Sequence, residues 1–189
     1  MSRRPTVIAL ALALAATTLG LSAQGRVTPR GHAITEFRSD RVLAVANYEY
    51  SQRHHDGAWL LVEFAVQAQD RIVIHRNDLS LVTPDEQVIP IASQADFLAD
   101  HNEITQLLQN ATTTRRTLEP YFTSRPIFNT IHFVSMPGGI VQDSAISNPD
   151  EVATGDLFFK SPAGKWAAGA YRLVLNHDKA KAELPITLE

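Results

Sequence analysis

The ten residues WLLVEFAVQA, positions 59–68, place an apolar side chain at every second position from Leu60. Leu60, Val62, Phe64, Val66 and Ala68 share one side, while Glu63 and Gln67 share the other, with Trp59 and Leu61 covering its start. Successive side chains of a strand leave on opposite faces, so a period of two predicts a β-strand. One face belongs to a core and the other is half wet, as in an antiparallel sheet.

The β signal extends outward from this segment. Upstream, Val42–Tyr50 is rich in β-branched and aromatic residues and predicts another strand, with a turn over Ser51–Gly57. Downstream, Arg71–His75 and Leu79–Val82 predict shorter strands. Thr83-Pro84-Asp85-Glu86 predicts a turn, because the Pro84 ring presets φ for the first central position and Asp85 suits the next. Val88–Ile91 returns as the partner strand. Pro90 lacks an N–H donor, which assigns that strand to a sheet edge or a bulge.

The rhythm changes at Ser93. Phe97, Leu98, Ile104, Leu107, Leu108 and Ala111 follow helical spacing, with Ser93 as N-cap. Asp100 and Glu103 form a capping-box pair, which predicts two short helices broken near 100–102. Thr112-Thr113-Thr114 ends the second, since three β-branched residues in a row resist helix. Strand character resumes at Ile127–Val134, followed by a turn at Pro137-Gly138-Gly139. Gln142–Gly155 is polar and reads as a long loop, and Leu157–Lys160 as a short strand. Tyr171, Leu173 and Leu175, then Leu184, Ile186 and Leu188, alternate on either side of a turn at Asn176-His177-Asp178 and predict a terminal hairpin.

The segment SPAGKWAAGAYRL, residues 161–173, resembles the end of many bacterial exported immunoglobulin-like domains. In these a small turn precedes Trp, and Gly-x-Tyr-x-aliphatic opens the penultimate strand. Trp166, Gly169 and Tyr171 are the matching residues, with a structural role. The resemblance implies that the Tyr171 hydroxyl bonds back to nearby backbone, as in a tyrosine corner. It implies a fold and no particular activity. The expected fold is therefore all-β: an immunoglobulin-like antiparallel β-sandwich with a short helical insertion around residues 93–111.

The first residues read as a secretory signal. Arg3 and Arg4 supply the positive start, residues 7–21 an apolar run, and Leu21-Ser22-Ala23 a signal-peptidase site. The expected division is a signal peptide at 1–23, a flexible N-terminal leader at 24–40, and a single β-sandwich domain at 41–189. The apolar run is shorter than the roughly 20 residues a membrane span requires. No transmembrane segment is expected after cleavage, and the destination is periplasmic or secreted, in a bacterium. There is no cysteine, so stability must come from the core without disulfides. A domain of this size buries on the order of 70% of its unfolded surface, which suffices. Removing Arg3 and Arg4 from 17 basic residues leaves 15 against 20 acidic ones. That mildly acidic balance argues against nucleic acid as a partner, which calls for a basic face.

Several residues are candidates for a site. Arg115, Arg116 and Arg125 carry guanidinium forks suited to an anionic group, or alternatively pair with Glu119 and other acids. Tyr121, Phe122 and Phe128 either line a pocket or seal the insertion against the sheet. His54 and His55, beside Asp56, are weak metal candidates, because neighbours on a strand diverge and a third ligand must come from elsewhere. Trp59 is a structural candidate. No nucleophile elbow, zinc-protease motif or phosphate loop is present. No catalytic residue and no cofactor is assigned. The expectation is an exported soluble envelope protein, a non-catalytic binding or accessory module for an envelope protein or small ligand, with its partner surface around residues 93–128. The alternative is a metal-dependent or hydrolytic enzyme in which at least two of His54, His75, His101, His132 and His177 converge with acids.

Overall fold

The structure, a computed structural model, describes residues 25–123 and 126–189. The expected signal at 1–23 and the candidate Arg125 lie outside the described residues. The elements in order are β1 (Arg26–Pro29), β2 (Ile34–Arg38), β3 (Val42–Asn47), α1 (Glu49–Arg53), β4 (Trp59–Ala68), β5 (Ile72–His75), β6 (Leu79–Val82) and β7 (Val88–Pro90). Then follow α2 (Gln94–Ala99), α3 (His101–Ala111), β8 (Ile127–Ile131), β9 (Ser144–Ser147), β10 (Glu151–Lys160), β11 (Gly169–His177) and β12 (Ala180–Leu188). Among the described residues no helix is long and apolar enough to cross a membrane.

The chain is mostly β. A six-stranded sheet runs β1-β2-β3-β4-β10-β8, a four-stranded sheet runs β12-β11-β6-β7, and β5 pairs with β9. The two larger sheets share one apolar cluster. Phe64, Val66, Leu157 and Phe159 come from one, and Leu81, Leu173, Leu184 and Ile186 from the other. These are the residues that the period-two pattern assigns to a core. β7 ends its sheet, so the missing N–H of Pro90 at an edge strand costs no central ladder bond.

Five expectations need correction. Residues 24–40 are not a flexible leader over their described part. β1 and β2 extend the six-stranded sheet, and Phe37 is buried in the shared core. The polar look of this stretch misleads because buried Glu36 is held between Arg30, at 2.8 Å, and Arg38, at 3.2 Å. Burial pushes the Glu36 carboxyl up, but the two guanidiniums outweigh it and hold it below the usual range.

Secondly, Tyr50 is not in a strand. β3 stops at Asn47, whose side-chain oxygen accepts from Glu49 N, and α1 begins at Glu49. Thirdly, residues 142–155 are not a loop, for β9 lies within them and β10 starts at Glu151. Their polar residues alternate with buried Ala145, Ser147, Val152 and Ala153, and the Ser147 hydroxyl bonds the β4 backbone at Val66 O and Ala68 N.

Fourthly, not every pair is antiparallel. β8 runs parallel to β10, because the chain crosses through β9 before returning. Finally, the second face of β4 is largely dry. Trp59 and Leu61 pack against Phe97, Ile104 and Leu107 of the helices, and Ala65 against Leu118 and Phe122.

The helix break falls where expected, but through different contacts. Ser93 caps α2 by accepting from Asp96 N at 3.1 Å. Asp100 caps nothing with its side chain. It accepts from the Trp59 indole N–H at 3.0 Å and meets Lys160 Nζ at 2.8 Å, pinning the break to the sheet.

Near the start of β11, the Tyr171 hydroxyl donates to Ala167 O at 2.8 Å. The Tyr171 ring meets Trp166 edge-on at 5.8 Å. The Gly169 position is tight, since a Cβ there would lie 2.9 Å from Pro84 Cγ. Tyr171→Phe keeps the ring and deletes the bond. Urea unfolding should show a loss of about 1 kcal/mol, with an unchanged m-value.

Candidate functional site

The insertion does not lie flat on the sheet. Between the end of α3, the segment 115–119, the segment 134–136 and the outer face of β4, β10 and β8 a cleft of about 430 Å³ remains open. Its floor follows from strand periodicity. Glu63 comes from β4, Thr154, Asp156 and Phe158 from β10, and Phe128, Thr130 and then His132 from β8 and its end. Alternate residues of three neighbouring strands thus present one mixed surface. Phe97, Leu108, Val134 and Met136 wall the apolar end.

Charge is concentrated at the other end. The antiparallel register sets Asp156 directly opposite Glu63. Arg115, just past α3, reaches over both, with Nη2 2.5 Å from Asp156 Oδ2 and Nη1 3.6 Å from Glu63 Oε1. Glu63 Oε2 accepts from Asn47 Nδ2 and from Arg116 N. Arg116 turns its guanidinium away to Glu49, at 3.0 Å.

Burial pushes the Glu63 carboxyl above the usual range. The Arg116 N–H, Asn47 and Arg115 oppose the rise, and the Asp156 charge adds to it. The folded chain therefore holds this proton more tightly than the unfolded chain does. The contribution of Glu63 to stability falls as pH rises from the unfolded carboxyl range to the folded value, then levels off. Glu63→Gln cannot ionise. Its stability relative to the wild type should rise across that window and stay constant beyond it, as chemical unfolding at a series of pH values will show.

The sequence candidates separate on this frame. Arg115, Arg116 and Phe128 line the cleft. Tyr121 and Phe122 do not, and instead pack against Leu118, Val45 and Val152 over the far half of the same sheet face. Phe122 meets Phe128 edge-on at 6.1 Å, which makes Phe128 the divider between sealed and open halves. The arginines are each paired with acids, though with Glu63, Asp156 and Glu49 and not with Glu119.

His54 stacks on Tyr50 at 4.7 Å and bonds its backbone carbonyl at 3.0 Å. His55 is half-buried, with Nδ1 lacking a partner. Among the described residues no three histidine, aspartate or glutamate side chains gather as a metal site. His75 and His177 do share a second cleft, an open one of about 450 Å³, with Asp78 and Asp178. His132 lies in the first cleft, away from that pair.

Glu63 and Asp156 were missed by motif reasoning. A signal existed for one of them, because Glu63 is the lone charge in the apolar run 59–68. Asp156 sits beside the stretch that reads as loop.

Comparison with known proteins finds no matching family model, no matching curated protein and no matching solved structure.

Proposed function

We propose that this chain is an exported bacterial envelope protein that acts as a non-catalytic binding or accessory module on an immunoglobulin-like sandwich. One observation carries the binding reading: the cleft between the insertion and the six-stranded sheet, whose lining includes Arg115, Arg116, Phe128, Glu63 and Asp156. Concave surfaces with an apolar wall and a few convergent polar groups are the usual form of ligand sites. The fold reading is supported by two sheets sharing one core and by the Tyr171–Ala167 bond beside Trp166. Export is supported by the charged and apolar pattern of residues 3–23.

A photo-crosslinking residue at Thr117, on the cleft wall, tests the binding reading in the native envelope. The control site is Lys179, on the second cleft. Specific adducts at Thr117 that are missing at Lys179 support it. Identical sets of abundant neighbours from both sites would remove it.

A hydrolytic enzyme is the second reading, favoured by the opposed carboxylates Glu63 and Asp156, one of them with its proton affinity raised. A purified protein that turns over envelope material, and stops doing so as Glu63→Gln, would replace the first reading with this one.

A further inference from the structure

We propose that the cleft beside Arg115 takes a small cationic ligand, an ammonium or guanidinium group carried on an apolar body. The inference rests on the binding reading above and adds the chemistry of the ligand.

The lining holds three carboxylates, Glu63, Glu119 and Asp156, against Arg115 and Arg116. Neither guanidinium is at the disposal of an incoming anion. Arg115 is drawn to Asp156 at 2.5 Å, and Arg116 is committed to Glu49 outside the cleft. Glu63 shares the one guanidinium of Arg115 with Asp156, which holds it more closely. Its side chain is only 13% exposed, yet Oε1 accepts no hydrogen bond among the described residues, and the nearest cation is Arg115 Nη1 at 3.6 Å. Oε2 is held by Asn47 Nδ2 and Arg116 N, while Oε1 stays open toward the cleft, where an N–H⁺ group would add a charge-assisted hydrogen bond. An anionic ligand would meet the same three acids and have to displace Asp156 or Glu49 from its arginine.

The other end of the cleft defines the rest of the ligand. Phe97 and Phe158 meet edge-on at 5.0 Å, and with Leu108, Val134 and Met136 they form a wall without charge. A body of aromatic or branched aliphatic character fits against it. The volume, about 430 Å³, suits a small molecule.

Calorimetry and amide NMR on the purified protein decide the matter, with phenethylamine as probe and phenylacetate as its charge-reversed counterpart. Phenethylamine should bind saturably, weaken as salt is added, and shift the amides of Thr154 and Asp156. Phenylacetate should not bind. Glu63→Gln, checked for folding by circular dichroism, should weaken amine binding at least about tenfold, the loss of one charge-assisted hydrogen bond. Glu119→Gln, on the exposed rim, should fold normally and weaken binding about twofold through the lost field.

Phenylacetate binding as tightly as the amine would overturn the proposal. So would amine binding that ignores both substitutions, or no binding of either probe. A partner trapped at Thr117 while neither probe binds would refute this ligand class and leave the binding module standing.

Discussion

Trp59→Ala should lower the free energy of unfolding by about 3–5 kcal/mol, the range for truncating a buried large aromatic side chain. The indole is 2% exposed and meets Phe97 edge-on at 6.2 Å. Its N–H holds Asp100 at the helix break, and Lys160 lies 5.5 Å above its ring. Truncation thus removes apolar burial, an aromatic contact and the anchor of α2 and α3 together. Phe64→Ala serves as the comparison, for Phe64 is fully buried in the core between the sheets and is not part of the cluster that holds Phe97, Ile104 and Leu107. Both variants should lose similar stability by thermal or chemical unfolding. Hydrogen exchange should separate them, with early opening of Phe97–Ala111 in Trp59→Ala alone.

The second large effect is expected at Gly155. In the parallel register Gly155 faces Ile131, and a Cβ on it would lie 2.6 Å from the Ile131 carbonyl oxygen and 2.8 Å from Ile131 Cβ. The first of these is backbone, so rotamer changes cannot relieve the contact. Gly155→Ala must push β8 away from β10, at a cost of about 1–3 kcal/mol typical of overpacking. Phe128, Thr130 and His132 move with that strand, so the cleft loses its shape as well. The variant should unfold at lower urea concentration and lose the binding of any cleft ligand even while folded. The corresponding change at Gly164, where a Cβ meets no atom but φ is +78°, should cost backbone strain alone and leave the cleft intact.

The legibility of the fold follows from burial. β4, β6, β11 and β12 were readable because each presents one strictly alternating face to the shared core. β2 was hidden because its buried positions include Thr35 and Glu36, which are satisfied by partners far or invisible in sequence: Thr35 donates to Pro185 O, and Glu36 sits between two arginines. β10 was hidden in half. Thr154, Gly155 and Asp156 look like loop residues, yet here they make the floor of a cleft and a close strand approach.

The candidate site was legible to the same degree. The arginine pair stood out as adjacent charge next to a helix end. The acids opposing it did not, because nothing in the local pattern of residues 59–68 or 151–160 reveals that Glu63 and Asp156 are rungs of one ladder.

The crossing that sets β8 parallel to β10 leaves β8 at the rim of its sheet. Among the described residues β8 has only β10 as a sheet neighbour, and β10 is held in turn by β4 from the other half of the chain. The rung that carries Glu63 and Asp156 closes a long excursion of the backbone, which is an intrinsically slow kind of contact. β8 meets the sheet through β10 alone, so whatever loosens the β4–β10 rung also loosens the hold on the strand that carries Phe128 and Thr130.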